Sequence, residues 1–356
     1  MDAEDFRSVL IDRIGLKDSP LVDAFLAEHP RATIFHGIRW QRVLQDAYGH
    51  SCFYWIARRG GAVVGVFPVT IVRFPVLGTK AVAGAYQFYS GLPVAADEKI
   101  EEQLVRHAFK EARAIGVKYF EIRHHAPVEY LGALGFVALD SGLVTTEVSL
   151  VDLDETRVRP RHRRYLGLAE RNGVSIVARD PMEGLLEFRR LYLIEGRALG
   201  SPRMGMRFFR EQCRWLGDKC YVWTARTTES RCIGGLMTIE DGERAFARCG
   251  AYSIGDALRL QVGKALIWRA MQDAAARGCK SFDFGVSWVG DRGLIRFKEG
   301  WGGVTRPVFQ YVHGALAGES GSGDLFTRYE LVKRVWRRLP LPIVDRVGAQ
   351  VFRWVC

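Results

Sequence analysis

The stretch Ala276–Gly303 reads ARGCKSFDFGVSWVGDRGLIRFKEGWGG, and the rest of the chain is organised around it. It opens as the last turn of a helix stopped by Gly278, where a residue without Cβ suits a left-handed cap. Ser281-Phe282-Asp283-Phe284 then alternates as a half-buried strand does. A loop punctuated by Gly285, Gly290 and Gly293 follows, ending in Phe297-Lys298 and Trp301-Gly302, a cation among aromatics. Yielding backbone, one acid and one base in so short a span mark this as the first place to look for chemistry.

Working outward, the same order of signals occurs earlier in the chain. Ala114-Ile115-Gly116-Val117-Lys118-Tyr119-Phe120-Glu121 matches Ala276-Arg277-Gly278-Cys279-Lys280-Ser281-Phe282-Asp283. Gly84-Ala85-Tyr86 matches Gly250-Ala251-Tyr252, a strand near Gly65 matches one near Gly234, and Trp55-Ile56-Ala57-Arg58 matches Trp223-Thr224-Ala225-Arg226. Residues 53–72 are β-rich around the hairpin signal Gly60-Gly61. Residues 99–115 carry Ile100, Leu104, Ala108, Ala112 and Ile115 along one helical stripe. Two copies of a strand–strand–strand–helix–strand module are therefore expected, an α+β architecture. The boundaries implied are 1–150, 151–314 and a tail, 315–356.

The chain has 356 residues, 48% of them hydrophobic, enough for two ordinary domains with full cores. Its N-terminus, MDAEDFRSVL, is acidic and polar, and no run of about 18 apolar residues occurs, so neither a secretory signal nor a membrane span is expected. Cys52, Cys213, Cys220, Cys232, Cys249, Cys279 and Cys356 contain no C-x-x-C. They read as reduced cytoplasmic thiols, neither a disulfide frame nor a metal site. Lys and Arg outnumber Asp and Glu by 51 to 40, which favours an anionic partner. Part of that excess is clustered. Arg157, Arg159, Arg161, Arg163, Arg164 and Arg171 share their segment with one acid, Glu170, and guanidinium forks suit phosphate oxygens, as in RNA or a phosphorylated donor.

The tail begins with a flexible stretch, ALAGESGSGD, and continues as amphipathic helix. Phe326, Tyr329, Val332, Trp336 and Leu339 form its apolar stripe beside Arg328, Lys333, Arg334, Arg337 and Arg338. Such a helix either packs on its own domain or lies in a membrane interface, and 325–356 is accordingly a candidate for peripheral inner-membrane contact.

Together the motifs resemble the FemAB family of aminoacyl transferases, including its exosortase-associated and BioF2-like relatives. The resemblance covers most of residues 33–313. It rests on FHGIRWQRVL with Trp40, ARRGGAVVGVFPV, the basic RHRRYLGLAERNGV, LYLIEGRALGSP, FDFG and FKEGWG. It implies a doubled GNAT-like fold with mainly antiparallel sheets, and formation of an amide. An amine of an envelope precursor or lipid would attack an acyl group on aminoacyl-tRNA or acyl-CoA, with no covalent cofactor. Fatty acylation of a sphingoid-type base is one variant, and a non-catalytic module binding RNA or a protein partner is the alternative from another class. Acyl-CoA enzymes of this fold carry a phosphate loop before the central helix; the spacing at Gln261-Val262-Gly263 departs from it, which keeps aminoacyl-tRNA open.

The resemblance also assigns roles. Lys298 would steady developing negative charge, Asp283 would take the amine proton, and Tyr252 and Tyr192 would orient the acceptor. Arg39 and Arg197 are candidate clamps for an anionic acceptor, with Trp40, Phe297 and Trp301 lining the substrate. Arg159, Arg161, Arg163 and Arg164 would meet RNA or phosphate.

Overall fold

The computed structural model describes residues 8–17, 19–74, 78–87, 89–179, 181–253, 255–314 and 330–354. They divide into two compact units, 8–141 with 308–314 and 142–307 with 330–353. The flexible stretch after Gly314, and Phe326, Arg328 and Tyr329 of the expected tail stripe, lie outside the described residues.

The first unit runs β1 (Val9–Ile14), α1 (Ser19–Glu28), α2 (Ile38–Tyr48), β2 (Ser51–Arg59), β3 (Ala62–Phe74), β4 (Gly78–Ala83), β5 (Val94–Ala95), α3 (Glu98–Ala114), β6 (Tyr119–His124) and α4 (Glu129–Ala133). The chain passes through β7 (Val137–Ser149) into the second. There it forms α5 (Pro160–Arg163), α6 (Leu168–Arg171), β8 (Ser175–Arg179), α7 (Pro181–Leu199), α8 (Met206–Leu216), β9 (Cys220–Arg226), β10 (Cys232–Asp241), β11 (Arg244–Tyr252), α9 (Asp256–Arg259), α10 (Val262–Ala276), β12 (Ser281–Trp288) and α11 (Arg292–Glu299). Last come β13 (Val304–Gly314), α12 (Glu330–Trp336) and α13 (Leu341–Phe352).

Both units contain the module expected from the repeat. β2, β3 and β4 pair antiparallel in turn, and β6 joins β4 in parallel across the α3 crossover. β9, β10 and β11 repeat the pattern, with β12 parallel to β11 across α10. The matched glycines explain how each helix lies on its sheet. A Cβ on Gly65 would sit 2.9 Å from Ile100 and Leu104 of α3, and one on Gly234 would sit 2.6 Å from Val262 of α10. A missing side chain on the strand thus lets helix and sheet come close. Ile100, Leu104, Ala108 and Ala112 bury against Trp55, Phe67, Phe120 and Ile122, whereas Ile115, expected on the same stripe, lies past the last turn of α3 and is exposed. Asp97 caps α3 by accepting from Ile100 N at 2.9 Å.

The outer strand of each module comes from outside the module itself. β13, which follows the second module, pairs with β6 of the first unit, and β7, which follows the first, pairs with β12 of the second. The boundaries at 150 and 314 were drawn along the sequence, whereas the compact units are discontinuous in it.

The described part of the tail packs on its own unit. Trp336 and Val344 are buried, and Asp345 pairs with Arg189 of α7. No described helix is long and apolar enough to cross a membrane.

The exchange makes a direct prediction. A fragment of residues 1–150 leaves one edge of β6 without β13 and carries residues 142–149 without β12. We expect it to show no cooperative thermal transition by circular dichroism, whereas the full chain should. A sharp transition in the fragment would show that the exchanged strands are dispensable.

Candidate active site

The site begins where β11 and β12 part. Their parallel ladder runs Arg244–Ser281, Ala245–Phe282 and Phe246–Asp283 and then ends. β11 runs on to Tyr252, whereas β12 stays with β7 and shifts register between Asp283 and Val286. That shift is a bulge, with Gly285 at φ 64°, a left-handed backbone that favours glycine. The bulge is fastened from two sides. Asp283 Oδ1 accepts from Gly285 N at 2.5 Å and from Thr145 Oγ1 at 3.4 Å. Lys298, reaching over from α11, donates to the carbonyls of Phe284, Gly285 and Val286 at 2.9, 2.9 and 3.1 Å.

An ammonium has three hydrogens, and here three carbonyls take them. The oxyanion contact expected of Lys298 therefore has no donor left in this arrangement, and Asp283 is a loop cap, not a group turned to a substrate. Only 5% of Lys298 is exposed. Burial pushes its pKa down to about 8, against the upward pull of Asp283 and Asp291. Both residues hold the bulge of β12 in place.

The first unit treats the equivalent place differently. Gly84 and Tyr86 have positive φ and turn the chain back, so that Gly91 N donates to Arg123 O at 3.0 Å and Ser90 bridges to His124. Ser90 and Gly91 thus pair with β6 just past the end of its β4 ladder. The matched tripeptides Gly-Ala-Tyr have opposite fates, because Gly250-Ala251-Tyr252 stays in strand β11. In the second unit the β11–β12 ladder ends at Phe246–Asp283.

Beside the free end of β11 lies a polar cluster that the sequence reading missed in part. Glu195 of α7 accepts from Tyr252 N and pairs with Arg203 Nη2 at 3.2 Å. The Arg203 guanidinium lies 4.6 Å from the centre of the Tyr192 ring. Burial raises Glu195 above the ordinary carboxylate range, although Arg203 and the Tyr252 N–H pull it back. Burial also raises the Tyr192 and Tyr252 phenols, so both remain protonated hydroxyls. Cys249 in the same cluster is pushed up to about 12 and Cys279 to about 11, so neither is a thiolate nucleophile near neutral pH. The signal for Glu195 was available, since it stands three residues after Tyr192 on one helical face.

A second cluster gathers at the start of α10. Lys264 Nζ donates to Gln261 Oε1 at 2.6 Å and lies 4.2 Å from the centre of the Tyr165 ring, which Arg164 approaches at 4.6 Å. Burial lowers the Lys264 pKa, and Arg164 and Arg161 lower it further. No described acid pairs with Arg159, Arg161, Arg163 or Arg164, all of which are exposed. Three cations converging on a helix N-terminus make a favourable place for an anion. Among the described residues no cluster of three His, Cys, Asp or Glu side chains could hold a metal.

The remaining candidates separate. Trp301 is fully buried against Trp268, Phe297 and His162, and His162 Nε2 donates to the Phe297 carbonyl at 2.9 Å, so Trp301 of the FKEGWG motif is core under the basic segment. Phe297 is half-buried in that packing, and neither ring lines an opening. Trp40 is buried in the first unit, with Nε1 donating to Ala85 O at 3.2 Å. Arg39 is exposed on α2, and Arg197 is half-buried on α7. Tyr192 and Tyr252 are the two expected residues that the fold brings together around Glu195.

The fold is that of GNAT-domain acyltransferases. The family model described as an acetyltransferase (GNAT) domain matches residues 156–299, the part that holds both clusters and the bulge. More particularly, the chain is similar in structure to FemX, with TM-score 0.64, 15% identity, and 91% of this chain and 100% of that one covered. It is also similar to the L-PGS of Bacillus licheniformis, with TM-score 0.57, 16% identity and coverage of 92% and 99%. A tandem GNAT protein from the clavulanic acid biosynthesis pathway aligns with TM-score 0.55, 16% identity and coverage of 88% and 100%. No curated protein matches the chain.

Lys298→Met keeps the apolar stem and removes the ammonium, leaving three carbonyls of the bulge without their donor. Each unsatisfied buried group costs about 1–3 kcal/mol, so the loss in a urea unfolding experiment should be at least about 3 kcal/mol. A loss under about 1 kcal/mol would mean that these carbonyls find other donors and that the bulge does not need the lysine.

Proposed function

We propose that the second unit is an N-acyltransferase that moves an acyl or aminoacyl group from a phosphate-bearing donor to an amine. The observation that carries this reading is the parting of β11 and β12 at a fastened bulge, next to a half-buried carboxylate, Glu195, held by Arg203 and the Tyr252 N–H. The donor chain enters between the two strands. Its phosphates, whether of CoA or of a tRNA end, meet Arg161, Arg164 and Lys264 at the start of α10. The acyl group lies against the end of β11 beyond Phe246, where the ladder with β12 has stopped.

Glu195 is the proton acceptor in this scheme. The amine nitrogen bonds to the acyl carbon, its proton passes to the Glu195 carboxylate, and the bond to the thiol sulfur or ribose oxygen breaks. Tyr192, Tyr252 and Arg203 orient the acceptor and hold the carboxylate. An amine of an envelope precursor or of a lipid, including a sphingoid-type base, fits the acceptor class carried by the resemblance to FemAB enzymes. Lys298 and Asp283 act through strand geometry and touch no reacting atom.

Glu195→Gln should lower kcat by about 10²–10⁴-fold while donor affinity holds. In the unaltered protein kcat/KM should fall as pH drops through the raised Glu195 value, an acid limb above the ordinary glutamate range that the variant lacks. A variant with full turnover and an unchanged profile would remove Glu195 from the mechanism. Donors are separated by native mass spectrometry with CoA and with tRNA. Arg161→Ala with Lys264→Ala should weaken whichever one binds, and a chain that binds either but turns over no acyl form would be a binding module.

A further inference from the structure

The helices that end the chain present two different faces. Trp336 of α12 and Val344 of α13 are buried in the second unit. Facing outward are Val332 and Val335 of α12, 53% and 54% exposed, and Ile343 and Val347 of α13, 45% and 42% exposed. Their spacings, i to i+3 and i to i+4, put each pair on one face of its helix. Arg334, Arg337, Arg338 and Arg346 are exposed among them. Six basic residues stand against two acids between 330 and 354. Of those acids Asp345 is taken by Arg189, and no described acid pairs with the four arginines.

We propose that α12 and α13 dock on an anionic lipid surface. Aliphatic side chains interleaved with unneutralised arginines suit the boundary between headgroups and acyl chains, where both kinds of group are satisfied at once. RNA would meet the arginines but would leave four aliphatic side chains without an apolar partner, so charge alone does not account for the face.

The mounting of these helices gives the docking a consequence. Lys333 packs on Gly200, Ala349 on Gly205, and Gly348 against the backbone of Arg203. These contacts hold the loop between α7 and α8, whose Arg203 pairs with Glu195. Docking therefore sets the acceptor side of the site next to the lipid surface. Resting on the acyltransferase reading, this points to an acceptor amine carried on a lipid or a lipid-linked molecule, not one free in solution.

The test uses the full chain and sedimentation with vesicles, one set pure phosphatidylcholine, the other equal parts phosphatidylcholine and phosphatidylglycerol. Binding is expected to the anionic vesicles alone. Ile343→Glu with Val347→Glu, both at exposed positions, should abolish it while the thermal transition is kept. Arg337→Gln with Arg338→Gln should weaken it by about fivefold per arginine, on the order of 1 kcal/mol each. Equal binding to both vesicle types, no binding, or binding indifferent to both variants would overturn the proposal. So would RNA binding that the arginine variant abolishes while vesicle binding stands. Turnover of a soluble amine by the Ile343→Glu, Val347→Glu protein keeps the two readings apart: it survives if only the docking is lost.

Discussion

A single ammonium group sets the shape of the active unit. Strand β12 leaves β11 after Asp283, and a strand that leaves its neighbour exposes carbonyls that need partners. Lys298 supplies three hydrogens to three successive carbonyls, and Asp283 takes the N–H of the glycine at the centre of the bend. The cost is a buried cation, visible in its lowered pKa. Asp283 and Asp291 offset part of that cost. A neutral side chain of similar reach could fill the space but could not satisfy the bulge.

The same constraint explains why two copies of one module differ in use. In the first unit Ser90 and Gly91 pair with β6, and the tyrosine of the repeated tripeptide sits in a turn with its hydroxyl 3.0 Å from His50 Nε2. In the second the tyrosine remains in the strand, and its N–H holds Glu195. One copy extends its sheet past the β4 ladder with Ser90 and Gly91; in the other the β11–β12 ladder ends and Tyr252 stays in its strand. Each copy also takes a strand from outside its own module, β13 on β6 and β7 on β12.

Several individual residues show where reading a sequence reaches and where it stops. The stripe of α3, the paired glycines Gly65 and Gly234 and the echoed tryptophans were legible because helix and strand periodicity and close approach are local properties. Lys298 stood out in the sequence, but a lysine among aromatics reads alike whether it points to a ligand or to a neighbouring strand, and here its ammonium bonds the strand. Trp301 and Trp40 attracted notice as aromatic anchors and proved to be core, since burial depends on what packs over a ring. Glu195 went unremarked because nothing near it in the chain sets its surroundings; the burial that raises its pKa comes from the fold, and Arg203 and the Tyr252 N–H, which pull it back, come from a loop and a distant strand.

The amino-acid order by itself determined the doubled α+β module, the helices and strands of each copy, and the concentration of positive charge between residues 157 and 171. These follow from period, glycine placement and charge, all of which are written within a few turns of chain. Only the tertiary structure decided where the β11–β12 ladder ends, which carboxylate lies beside that end, and which strand from outside each module joins its sheet. Those outcomes depend on hydrogen-bond partners and burial contributed by segments more than a hundred residues apart, as with Thr145 and Asp283 or Arg161 and Arg296, and no local pattern encodes such a meeting.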